Sequence, residues 1–143
     1  MNTEDMREQA KDIIENGKAK AGEFLEDGGK MDQLLDLVED KLETVPKAGE
    51  RLAEVPRMIS LVKDYIQKDY MAAPKTTLVA IVAALLYLVN PRDIIPDKYL
   101  GVGLLDDAAV MAAAIAMTRK ELDAYAAWKD TKTAQEEETP SQA

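Results

Sequence analysis

The sequence predicts an all-α protein of about five helices. Alanine and the aliphatic residues are abundant, whereas aromatic residues make up only 5% of the chain, and strands favour β-branched and aromatic side chains. Apolar residues also recur three and four positions apart over most of the chain, which is the spacing of one helix face. The 143 residues are enough for one domain with a modest core.

The charge pattern divides the chain. Residues 1–54 carry 15 acidic and 8 basic side chains, residues 55–128 are balanced and apolar, and residues 129–143 are polar. We expect a single helical domain over 1–128, in which 1–54 forms acidic amphipathic helices. The Thr, Glu and Gln content of 129–143 predicts a disordered tail.

Two amphipathic helices are predicted in the first third, over residues 3–26 and 31–45. Thr3 is a suitable N-cap for the first helix, and its apolar residues fall on one face. The run Asp27-Gly28-Gly29 interrupts the pattern and predicts a tight turn between the two helices.

Three further helices are predicted over residues 56–70, 74–89 and 104–128. Pro56 interrupts an apolar stripe, so a helix is expected to begin there. Asn90-Pro91 ends the fourth helix, because the residue before a proline is disfavoured in helical geometry.

The fourth and fifth helices are expected to form a central hairpin, with alanines on the fifth helix allowing close approach. A helix that is apolar on all sides needs cover on all sides, so residues 3–45 are predicted to pack on the hairpin as a lid. The apolar run 78–89 has 12 residues, which is short of the ~20 that span a bilayer.

Composition excludes several kinds of chemistry. The chain has no Cys and no His, which excludes disulfides, thiolate catalysis and histidine general bases. Neither of its serines, Ser60 and Ser141, has a histidine partner. The net charge of −9 argues against nucleic acid as a partner.

One polar constellation interrupts the apolar region, and it is the candidate binding site. Its members are Asn90, Asp93, Asp97, Asp106 and Asp107. The leading interpretation is structural, because Asp commonly caps helices and turns. Alternatively, the four aspartates bind Mg²⁺ or Ca²⁺, or two of them share a proton in acid–base chemistry. We expect no cofactor, with either metal as the alternative.

The same stretch carries a longer motif, Tyr-x-x-Asn-Pro-x-Asp-x-Ile-Pro-Asp, followed by a glycine turn and Asp-Asp. Its positions are Tyr87, Asn90, Pro91, Asp93, Ile95, Pro96, Asp97, Gly103, Asp106 and Asp107. This resembles the core motif of the YkvA-like family of small helical bacterial proteins, over residues 57–128. The resemblance implies a helical fold in a family of unknown function whose members are often described as membrane-associated.

Two positions depart from the family pattern at the tip of the hairpin. Arg92 stands where an apolar residue is expected, and Lys98-Tyr99 replaces a pair that is often Phe-Ile. Both departures place charge at the tip, which disfavours its insertion into lipid.

The leading functional hypothesis is a non-enzymatic, cytoplasmic helical module that binds a protein partner through its apolar hairpin or acidic loop. The first alternative is a membrane-associated protein anchored by the hairpin 78–89/104–117. The second is a metal-dependent enzyme that uses the acid cluster. We expect a monomer or weak dimer.

Overall fold

The computed structural model describes residues 3–44, 54–90 and 107–138, and within these ranges it contains helices and no strand. The all-α prediction is therefore confirmed. The five helices are α1 (Thr3–Leu25), α2 (Gly28–Thr44), α3 (Val55–Ile66), α4 (Lys75–Val89) and α5 (Asp107–Glu138).

The centre of the bundle is α4. This helix is apolar on every side, and eleven of its fifteen residues are buried. All four other helices contact it. The amphipathic helices therefore surround an apolar one, which satisfies the requirement that such a helix be covered on all sides.

The helix α1 lies against both members of the hairpin, α4 and α5. Ile13 and Ile14 on its apolar face are completely buried. Burying each such side chain contributes about 1.5–3 kcal/mol, so α1 is an integral part of the core. The packing of the N-terminal segment on the hairpin is as predicted.

Asp27 sets the start of α2, which lies three residues earlier than predicted. Its Oδ1 accepts a hydrogen bond from the backbone N–H of Lys30 at 3.1 Å. This is the geometry of an N-cap, in which the side chain satisfies one of the first unpaired donors of the helix. Gly28 and Gly29 are therefore the first residues of α2 instead of forming the turn.

The helix α3 is shorter than predicted because it ends in a reversal of the chain at Lys68. The N–H of Lys68 donates to the carbonyl of Tyr65, and the N–H of Asp69 donates to the carbonyl of Asp64. Lys68 has φ 66°, the left-handed conformation that this C-terminal motif requires and that glycine usually supplies. Residues 67–70 are consequently not helical.

The helix α5 differs most from the prediction, because it continues from the expected end at Trp128 to Glu138. Alanine, lysine, glutamine and glutamate in this segment favour helix, although its polarity alone suggested disorder. Lys129 also fixes the segment to α3 through an ion pair with Asp64. The remaining predicted tail, residues 139–143, lies outside the described residues.

Candidate functional site

The predicted acidic loop lies almost entirely outside the described residues. Asp93, Asp97 and Asp106 belong to the undescribed range 91–106. Asp107 is the first residue of α5, but its side chain is not described. Asn90 is described, and it is the exposed C-terminal cap of α4, with its N–H donating to the carbonyl of Leu86 at 2.7 Å.

The end of α4 that leads into this loop is fixed by α2. Lys41 Nζ donates to the carbonyl oxygen of Leu88 at 2.6 Å. The last carbonyls of a helix lack intrahelical partners and form the negative end of its dipole, so a lysine there is stabilising. Tyr87, the residue before Leu88, is completely buried. Tyr87 and Asn90 each interact with another group of the protein. Two positions of the motif are thus anchored at one end of the bundle.

A second polar site, absent from the sequence prediction, joins α3 to α5. The hydroxyl of Tyr125 donates to Asp64 Oδ2 at 2.5 Å, and Lys129 Nζ donates to the same oxygen at 3.1 Å. Ser60 Oγ hydrogen-bonds the Tyr125 hydroxyl from the other side. We call these four residues the α3–α5 clamp.

Two members of the clamp, Tyr125 and Lys129, have raised pKa values. Burial raises the pKa of Tyr125, and its hydrogen bond to the Asp64 carboxylate raises it further. The hydrogen bond to Asp64 also raises the pKa of Lys129. A tyrosine whose pKa is raised above its ordinary value is poorly suited to general acid–base catalysis near neutral pH. The arrangement is that of a structural cross-link.

Aromatic rings pack beside the clamp. The centroids of Tyr70 and Tyr125 are 5.1 Å apart, and Trp128 lies 4.9 Å from Tyr70 and 5.8 Å from Tyr125. Lys132 Nζ is 5.1 Å from the centroid of Trp128, within cation–π range. Tyr125 and Trp128 thus both pack against Tyr70, in the segment that follows α3.

A groove of about 510 Å³ separates the N-terminal part of α1 from the N-terminal part of α5. Alanines form its α5 side and longer side chains form its α1 side. The lining residues are Met6, Arg7, Lys11, Ala109, Ala112, Ala113 and Ala116. We call this feature the α1/α5 groove.

The alanines of this groove are only partly in contact with the rest of the protein. Ala112 and Ala116 are exposed, whereas Ala114 is buried against the core. The alanine stretch of α5 therefore has two sides, one that packs inward and one that faces the groove.

A second groove, of about 400 Å³, lies between α2 and α3. Its lining combines three charged residues with three apolar residues and Ser60, and the ion pair between Lys63 Nζ and Glu39 Oε1 joins its two sides at 2.8 Å. Both partners are nearly half exposed, so this pair contributes little stability. The groove therefore presents mixed charge beside apolar side chains.

The described residues contain neither a cluster of metal ligands nor a membrane-spanning helix. Within residues 3–44, 54–90 and 107–138, no three acidic, histidine or cysteine side chains are grouped as metal ligands. The proposed metal ligands Asp93, Asp97, Asp106 and Asp107 are beyond what this finding covers. None of the helices described is both long enough and apolar enough to cross a membrane.

Comparisons with known proteins bear on the same part of the chain. A family model described as "Protein of unknown function (DUF1232)" matches residues 77–113, which include α4 and the start of α5. A Bacillus subtilis (strain 168) protein named "Uncharacterized membrane protein YkvA" is 37% identical over 78 residues. That match covers 54% of this chain and 74% of the relative. No solved structure matches the chain.

Proposed function

The chain belongs to the YkvA-like family, a family of unknown function, and we propose that it acts as a non-enzymatic helical module that binds a protein partner in the α1/α5 groove. The groove is the observation that carries this proposal. Three of its alanines, Ala109, Ala112 and Ala113, lie within the residues matched by the family model.

Burial decides which part of the hairpin can meet a partner. The helix α4 is enclosed by the four other helices and offers no accessible apolar face. The exposed alanines of α5 are the accessible apolar part of the hairpin. Small side chains allow another helix to approach closely, and Met6 on the α1 side of the groove is flexible enough to adapt to the shape of a partner.

Charge indicates the chemistry of the partner. Arg7 and Lys11 line the groove in a chain whose net charge is −9. Both side chains are exposed, and within the described residues neither takes part in an ion pair. A partner helix that carries acidic residues beside small or apolar ones would complement this surface.

Site-specific crosslinking tests the proposal in cells. We expect a photoreactive amino acid at Ala112 to form discrete protein adducts, because this position faces the groove. The matched control is Ala127, an exposed alanine of the same helix that lies about 22 Å further along it. The adducts should be lost in the Arg7→Glu/Lys11→Glu variant. Equal adduct patterns at both positions would refute the use of this groove.

Membrane association through the hairpin is the second candidate, and it is favoured by the name of the Bacillus subtilis relative, which calls it a membrane protein, and by the apolar surface of α4. Because α1 covers α4, this function requires α1 to move away. Weakening the α1 interface by Ile14→Ala should then increase flotation with phospholipid vesicles, relative to the wild-type chain. The exposed substitution Leu37→Ala serves as control, and unchanged flotation of Ile14→Ala would argue against this candidate.

A further inference from the structure

The outer face of α2 presents an apolar side chain among carboxylates. Leu37 is 52% exposed, although its neighbours Leu34, Leu35 and Val38 are buried. Asp36 and Asp40 beside it are exposed, and within the described residues neither takes part in an ion pair. This face of α2 therefore presents one exposed leucine close to two carboxylates. We call Leu37, Asp36 and Asp40 together the knob.

The knob and the α1/α5 groove have complementary features. Arg7 and Lys11 are four residues apart on α1, and Asp36 and Asp40 are four residues apart on α2. Four residues correspond to a rise of about 6 Å on any α-helix, so the two basic side chains match the two acidic ones in spacing. The groove thus places its basic pair opposite alanines, and α2 carries an exposed leucine close to its acidic pair.

We infer that the helix which fits the α1/α5 groove is α2 of a second copy of this chain. This inference rests on the proposed function, because it names the partner of the same groove. Charge complementarity and the exposed leucine favour this occupant over an unrelated partner, since both halves of the contact are present on one molecule.

The geometry of such an assembly is head-to-tail. The groove lies between α1 and α5, whereas Leu37 projects from α2 and is exposed in its own chain. Because the two surfaces differ, each copy keeps one groove and one knob available, and association continues until a ring closes or a filament forms. The contact is small, so we expect self-association at about 0.1–1 mM protein.

Two charge-reversed variants of the full chain test the inference. Arg7→Glu/Lys11→Glu makes the groove acidic, and Asp36→Lys/Asp40→Lys makes the α2 face basic. Each variant alone then carries like charges on groove and knob, so its self-association should weaken about tenfold or more. Mixing the two variants should restore association, because each groove meets a knob of opposite charge. Sedimentation velocity over a concentration series measures both effects.

The controls separate specific pairing from general charge effects. Each double substitution changes the net charge of −9 by four units, so both variants remain acidic and repel one another as whole particles. Lys68→Glu/Lys75→Glu makes the same charge change outside the groove and should associate like the wild-type chain. Absence of wild-type self-association, or no recovery on mixing, would overturn the inference.

Failure of this inference is distinguishable from failure of the proposed function. If mixing restores nothing but the photoreactive residue at Ala112 still forms adducts with a different protein, the groove binds a partner and the partner is not α2. If Ala112 forms no more adducts than Ala127 and mixing also fails, both proposals are wrong.

Discussion

Truncating Leu85 to alanine should lower the free energy of unfolding by about 2–5 kcal/mol. Leu85 is completely buried near the middle of α4, the helix that all the others contact. The truncation loses the transfer free energy of the removed methyl groups, and it leaves a cavity that the surrounding side chains fill only in part. Urea unfolding followed by circular dichroism measures the change.

Leu37→Ala is the matched control, because it removes the same atoms from an exposed position. We expect it to change the free energy of unfolding by no more than about 0.5 kcal/mol. The same variant should nevertheless weaken self-association, so the two leucines separate folding from binding. Equal destabilisation by the two substitutions would contradict the description of α4 as the central helix.

Replacing Tyr125 with phenylalanine should lower the free energy of unfolding by about 1–3 kcal/mol near neutral pH. The substitution keeps the ring and its packing on Tyr70 but removes the hydroxyl that hydrogen-bonds Asp64 and Ser60. Asp64 is 7% exposed, so its carboxylate would lose a partner that water does not readily replace.

The effect of this substitution should also depend on pH. The pKa of Tyr125 is raised in the folded chain above its ordinary value of 10.0, so the folded state holds the proton more tightly than the unfolded state. The stabilisation from the neutral hydroxyl is therefore complete below about pH 10 and is lost as the pH rises through the higher folded pKa.

Unfolding of both chains between about pH 7 and pH 11 tests this dependence. The difference in free energy of unfolding between the wild-type chain and Tyr125→Phe should narrow at the alkaline end, because only the wild-type residue titrates. The pKa of Lys129 is also raised, but its largest cause, the hydrogen bond to Asp64, is present in both chains. Tyr65→Phe, which alters a half-buried tyrosine outside the clamp, provides the control. If the difference in free energy of unfolding between the wild-type chain and Tyr125→Phe stays constant from about pH 7 to pH 11, ionisation of Tyr125 is excluded as the cause.

Helix α4 was predictable almost to the residue, because its signals are local. Pro74 precedes it, Asn90-Pro91 follows it, and an uninterrupted apolar run lies between them. The end of α3 was not predictable, because Lys68 adopts a left-handed conformation at a position where the sequence has no glycine to indicate it. Likewise, the polarity of residues 129–138 suggested disorder, whereas an ion pair to a residue 65 positions away holds the start of that segment.

Prediction of the functional sites was limited by the same dependence on tertiary contacts. Asn90 lies at the end of α4 as expected, but the acidic members of the proposed loop stay predictions. The α3–α5 clamp combines two pairs four residues apart, Ser60 with Asp64 and Tyr125 with Lys129. Matched spacing of polar residues on two helices was its only signal in the sequence. The groove depends on which part of α5 the helix α1 leaves uncovered, and periodicity does not determine this.

The central position of α4 also bears on how the chain is made. The ribosome completes α1, α2 and α3 before α4 emerges, so the most apolar segment enters a solution that already contains three of the four helices that enclose it. Domains synthesised from the N-terminus can begin to assemble before the chain is complete, which shortens the time that apolar surface is open to aggregation. A circular permutant that begins at α4 would reverse this order and expose the same surface to other nascent chains first.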